Sequence, residues 1–106
     1  MQTERPRARR YPFVATTEVT HLGTETKFIG QTSDVCLYGC GVSTEKTLPT
    51  GTNVRVRIFH AGKSFTALGK VTYSNTEGMG VAFLQVEDKD GTTLEKWIDQ
   101  LRTVRA

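Results

Sequence analysis

Histidine is scarce in this chain. His21 and His60 are the only two, and neither stands at ligand spacing from a cysteine or a second histidine. A zinc site draws on three or four such ligands, so metal binding is not expected. No histidine lies in a motif with a serine or cysteine, which removes the usual base for a nucleophile. Cys36 and Cys40 are the only cysteines. On an extended strand, residues four apart lie about 13 Å from each other at about 3.3 Å per residue, against a limit of about 7 Å between Cα atoms in a disulfide. A turn between them would shorten the gap, but two small buried side chains are the simpler reading. No apolar run is long enough to span a bilayer. No apolar segment follows the basic N-terminus, as it would in a secretory signal. The expectation is a cytoplasmic protein that is not an enzyme and carries no cofactor.

What the chain does have is unevenly placed charge. Its 106 residues, 37% of them hydrophobic, suffice for one modest core, and two domains of half this size would each be too small. The formal net charge is +3, and Arg5, Arg7, Arg9 and Arg10 against Glu4 supply all of it. Residues 11–106 balance ten basic against ten acidic side chains. A general nucleic-acid binder spreads its basic residues over a face. Arginines confined to one short segment suit a small, local anion better. Residues 1–10 have no apolar period and include Pro6, which reads as an open arm in the absence of ligand. Residues 11–106 form the folded body.

The body reads as strands. From Tyr11 to Thr20, Phe13, Ala15, Thr17 and Val19 alternate with Val14, Thr16 and Glu18. A turn at His21–Thr24 leads to a strand over 25–33, with Phe28 and Ile29 as candidates for the inward face and Gly30 as a bulge or bend. Val54, Val56 and Ile58 alternate with Arg55 and Arg57, a half-buried strand. Phe65, Ala67, Gly69 and Val71 share a face of the next strand, and Met79, Val81 and Phe83 share one on the last. At the end, Leu94, Trp97, Ile98 and Leu101 make one apolar helical stripe over about 92–103. Thr92 or Thr93 would cap it, with Glu95 in its first turn. Six short strands and one terminal helix predict an all-β fold, a six-stranded antiparallel barrel plus a C-terminal α-helix.

One stretch departs from plain strand sequence. Asp34-Val35-Cys36-Leu37-Tyr38-Gly39-Cys40-Gly41 puts a carboxylate, two glycines and both cysteines within eight residues, and reads as a strand interrupted by a tight turn. Phosphate loops rich in glycine normally open a helix, which these glycines do not. Arginine's planar fork clamps phosphate, pairs with the O6/N7 edge of guanine and stacks on flat rings. A carboxylate can accept from guanine N1 and N2. A glycine allows close approach. Together these residue types suggest a compact guanine nucleotide with phosphates.

Their order resembles the PilZ family. Arg5-x-x-x-Arg9 resembles its first motif, Asp34-Val35-Cys36-Leu37-Tyr38-Gly39 its second, and Leu48-Pro-Thr-Gly-Thr, Gly69-Lys-Val-Thr-Tyr and Gly78-Met-Gly-Val-Ala-Phe its strand and turn sequences. The resemblance implies a receptor for the bacterial second messenger cyclic di-GMP. In it Arg5 and Arg9 clamp the ligand, Asp34 accepts guanine and Gly39 supplies the close approach. Arg10 is the alternative to Arg9, because Arg10-Tyr11-Pro12-Phe13 also resembles the family's second arginine and its next residues. That register puts Pro6 at the first arginine, and a third register, from Arg9 to Phe13, lacks the second. Cys36 stands where the family has serine, and a thiol is the weaker hydrogen-bonding group. The family's members without nucleotide act through protein contacts, so an interaction module of the same fold is the alternative reading. The implied partners are cyclic di-GMP and an effector protein. Neither a membrane nor a nucleic-acid polymer is expected; for single-stranded nucleic acid, Tyr38 and Tyr73 are the only candidate stacking platforms.

Overall fold

A computed structural model describes residues 9–104. The elements are β1 (Tyr11–Pro12), β2 (Thr16–His21), β3 (Lys27–Cys36), β4 (Gly39–Ser43), β5 (Asn53–His60), β6 (Lys63–Ser74), β7 (Gly78–Val86) and α1 (Asp88–Val104). Every strand pairing is antiparallel, in the order β1-β3-β2-β5-β6-β7-β4, and β4 returns to pair with β3. The sheet is therefore a closed barrel, which leaves few free strand edges. This is the expected six-stranded barrel, with the two-residue β1 as an extra strand beside β3.

Alternation decides what lies inside. On β5, Val54, Val56 and Ile58 are fully buried while Arg55 and Arg57 are exposed. Phe65, Ala67 and Val71 on β6 and Met79 and Val81 on β7 join them. The β5–β6 hairpin turns at Ala61 and Gly62, with φ of 53° and 78°. Two positive φ values in a two-residue loop match the right-handed twist of the flanking strands. The strand expected over Tyr11–Thr20 is split between β1 and β2. Across the break, Thr32 closes the ladder with its side chain, accepting from the Ala15 N–H at 2.9 Å and donating to the Phe13 carbonyl.

Two expectations for β3 need correction. Ile29 is 63% exposed, because it is out of phase with Phe28, which packs on the core. Gly30 pairs regularly with Thr17, and the bulge lies further on, between Thr32 and Asp34 where β3 meets β4.

The helix starts earlier than its apolar stripe suggests. It opens at Asp88, so Glu95 lies beyond the first turn, which holds Asp88 and Asp90 instead. The Asp90 and Gly91 N–H groups donate to the Glu87 carbonyl. Thr92 and Thr93 do not cap: their hydroxyls donate back to the carbonyls of Asp88 and Lys89. Acidic side chains near the positive end of the dipole favour this earlier start. Leu94, Trp97 and Ile98 are buried. Trp97 lies against Phe13, His60 and Phe65, with ring centroids at 5.6, 5.4 and 6.4 Å. Asp90 is buried and accepts the Thr66 N–H at 3.0 Å, which ties the start of the helix to β6. Among the described residues, no helix is long and apolar enough to cross a membrane.

Candidate functional site

The bulge in β3 sets the orientation of the candidate site. Before it, Phe28, Gly30 and Thr32 face inward in strict alternation, which would carry Asp34 into the barrel too. The extra residue, Ser33, resets the phase. Val35 then faces the core at 0% exposure, and Asp34 and Cys36 take the opposite face, where Asp34 is partly exposed and Cys36 is covered. Ser33 and Asp34 come to lie on the same side, over Gly41. A Cβ on Gly41 would sit 2.5 Å from Ser33 Oγ and 2.9 Å from Asp34 Oδ1. Gly41 is thus the glycine this site requires, and spacing alone gave no sign of it.

Asp34 is held at two points. Its Oδ1 accepts the Gly41 N–H at 2.9 Å and Arg10 Nη2 at 2.9 Å, while Arg10 Nε lies 3.4 Å from Oδ2. The guanidinium therefore meets the carboxylate along its Nε–Nη2 edge. Both side chains remain partly in water, at 47% exposure for Arg10 and 32% for Asp34. The hydrogen bond to Asp34 raises the Arg10 pKa most; partial burial opposes it, and the charges of Asp34, Cys36 and Tyr73 add to it.

Of the sequence-derived residues, the fold brings Arg10, Asp34 and Cys36 together. Arg10 Nη1 lies 3.9 Å from the Cys36 sulfur, which also accepts the Tyr38 N–H at 3.3 Å. Arg9 stands apart, exposed, with its guanidinium 6.0 Å from the centre of the Tyr11 ring. Arg5 and most of the 1–10 arm lie outside the described residues. Gly39 is buried, and a Cβ there would collide with the Val81 carbonyl oxygen. The missing side chain at 39 thus admits the neighbouring strand. Cys36 and Cys40 are both free. Cys40 pairs in register with the inward Val35, so the two thiols point to opposite faces of the hairpin.

Tyr73 belongs to the same surface. It pairs with Gly80, Gly80 with Gly41, and Gly41 with Asp34, across four adjacent strands. The Tyr73 ring covers Gly80, where an added Cβ would collide with Cε2 and come within 2.7 Å of Cδ2. The sequence places Tyr73 and Asp34 far apart, and only the register joins them. Chemically, the surface offers an arginine, a carboxylate and an aromatic ring around two glycines. A guanidinium can exchange a carboxylate for a phosphate, and the freed carboxylate can take the donors of a guanine edge.

Comparison with known proteins agrees with the architecture. A profile of the PilZ domain matches residues 4–100. The chain belongs to the PilZ domain family. No curated protein matches it. Among solved structures it is similar to the PilZ domain of YcgR from Escherichia coli, described with c-di-GMP, at 16% identity and a TM-score of 0.74, covering 96% of this chain and 95% of that one. It is also similar to the PilZ domain of CeSA from a cellulose-synthesizing bacterium, at 18% identity and a TM-score of 0.64, covering 92% and 99%. A third is the Bacillus subtilis inhibitor of motility MotI/DgrA, at 12% identity and a TM-score of 0.76. There the match covers 98% of this chain, which spans about half (54%) of that protein. At these identities the likeness is one of fold. In this PilZ domain the second-motif stretch forms the β3–β4 hairpin, with Leu37 and Tyr38 at its tip.

Proposed function

We propose that this PilZ domain is a receptor and adaptor for cyclic di-GMP. The ligand draws Arg5, Arg9 and Arg10 onto the barrel beside Asp34, Cys36 and Gly39, and the ordered arm changes the surface met by an effector protein. It is a cytoplasmic switch through ordering, without chemistry. The observation that carries this reading is the Arg10–Asp34 pair. It anchors the end of the arginine arm at the second-motif hairpin, and its half-exposed partners can exchange each other for phosphate and guanine. Family membership supports the ligand class.

Calorimetric titration with cyclic di-GMP tests it. Saturable binding is expected, and Arg9→Ala and Asp34→Ala should each weaken it at least about ten-fold, the equivalent of about 1.4 kcal/mol. Absence of heat and saturation at high micromolar ligand refutes the receptor reading.

Cys36 favours a second reading, a PilZ-like interaction module that binds no nucleotide. Its thiol stands where the family has serine, and its sulfur already accepts the Tyr38 N–H. Under that reading, deleting the arm leaves capture of the effector intact.

A further inference from the structure

Arg55 and Arg57 on β5 carry charge that no neighbour neutralises at contact distance. Both are exposed on the outer face, two residues apart, so their side chains leave the sheet about 7 Å from each other. The ion pairs among the described residues are Arg10–Asp34 and Arg102–Asp99, and neither involves Arg55 or Arg57. Glu18 on β2 stands directly opposite Arg57. The guanidinium nevertheless leans the other way, with Nε donating to the Thr66 hydroxyl on β6 at 3.4 Å. Both arginines line a cleft of about 330 Å³ between the β5–β6 sheet and the start of α1. Lys89 adds a third cation there, and Leu68 an apolar patch. Glu87 and Asp90 also line it. Asp90 is committed to the Thr66 N–H and lies in the first turn of α1, at the positive end of the helix. One exposed carboxylate, Glu87, is left in the cleft to offset three cations.

We propose that this cleft docks an extended acidic segment of a partner protein, with aspartate or glutamate at alternate positions. Side chains on one face of an extended segment repeat every two residues, again about 7 Å. Two carboxylates can therefore meet Arg55 and Arg57 in step, and each guanidinium can hold its carboxylate through two N–H groups. A single-stranded nucleic acid would bring phosphates but also bases, and no aromatic ring among the described residues lines the cleft to stack on them. In the closed order of strands, β5 lies three places from β4 in either direction. The cleft is thus across the barrel from the Asp34 hairpin, and a partner seated in it leaves the candidate nucleotide surface open. Its occupation does not depend on the nucleotide.

The test is a heteronuclear NMR titration of the full chain, at low salt, with the capped peptide Ser-Ser-Glu-Ser-Glu-Ser-Ser. Amide signals of residues 55–57, 66–68 and 87–90 are expected to move saturably, and added salt should weaken the binding. The double variant Arg55→Gln, Arg57→Gln, matched to wild type in chemical denaturation, should bind about 3- to 30-fold more weakly, the range for losing two exposed ion pairs. A peptide of the same composition with its two glutamates adjacent should bind wild type about two- to five-fold more weakly, since one carboxylate misses its arginine. Equal affinity for the two peptides overturns the extended match. Shifts confined to residues 9–10 and 34–41 put the peptide on the arginine arm and overturn the cleft, as does the absence of any shift at millimolar peptide. Oligouridine that moves the cleft residues at lower concentration than the peptide overturns the acidic partner. Cyclic di-GMP is absent throughout, so each of these failures leaves the receptor reading standing.

Discussion

Replacing Cys36 by serine restores the hydroxyl that the family carries at this position. Cys36 is 4% exposed, its sulfur accepts the Tyr38 N–H at 3.3 Å, and Arg10 Nη1 approaches it at 3.9 Å. A serine oxygen accepts the Tyr38 N–H better than sulfur does. Its shorter bond to Cβ draws it back from Arg10, and its proton needs an acceptor. Without ligand that acceptor is water or the neighbouring Asp34 carboxylate, so the folding cost should be at most about 1 kcal/mol. With ligand bound, a phosphate oxygen can take the proton. A hydrogen bond to a charged group contributes about 1.5–3 kcal/mol, which is about a ten- to hundred-fold gain in affinity. Paired calorimetry of wild type and Cys36→Ser with cyclic di-GMP, beside urea denaturation of both, measures the two effects. Unchanged or weaker binding by a stably folded Cys36→Ser would show that no ligand group reaches this position.

Packing supports two more expected outcomes. Asp90→Ala strands the part-buried Thr66 N–H and loosens the start of α1, so the denaturation midpoint should fall by the equivalent of about 1–2 kcal/mol. Asp90→Asn, which keeps an acceptor, should cost less, and equal losses in the two would refute the hydrogen-bond account. Burial, with the charge of Asp34 adding, pushes the Cys40 thiol up to about 12. In the unfolded chain a thiol ionises near pH 8.5, so this part of the stability is complete below about pH 8.5 and is lost as pH rises toward 12. Denaturation from pH 7 to 11 should show wild type losing stability more steeply than Cys40→Ala, and parallel curves would disprove it.

The sequence by itself determined the class of fold. Alternation on β5, β6 and β7 named the inward residues, because burying one face of a strand forces a period of two. The stripe from Leu94 to Leu101 named the helix and its buried side, while its start escaped notice because the first turn is fixed by Asp88, Asp90 and a bond to β6. Charge counting isolated the arginine arm, and residue types around Asp34 marked the hairpin. The tertiary structure decided which of these meet. Of the three arginine registers, Arg5–Arg9 fills both places, whereas the other two each lack one arginine; in the fold, among the described residues, it is Arg10 that reaches Asp34. The phase of β3 pointed Asp34 inward until the bulge at Ser33 turned it out, and a bulge depends on the partner strand as much as on its own residues. Gly39 resembled a ligand-approach glycine, yet its space is filled by the Val81 carbonyl, and Gly41 holds the place beneath Asp34. Tyr73 and Gly80 joined the surface only through the register of four strands. Local periodicity is written along the chain, whereas a binding surface is assembled across strands, and its neighbours are set by pairings that no single stretch contains.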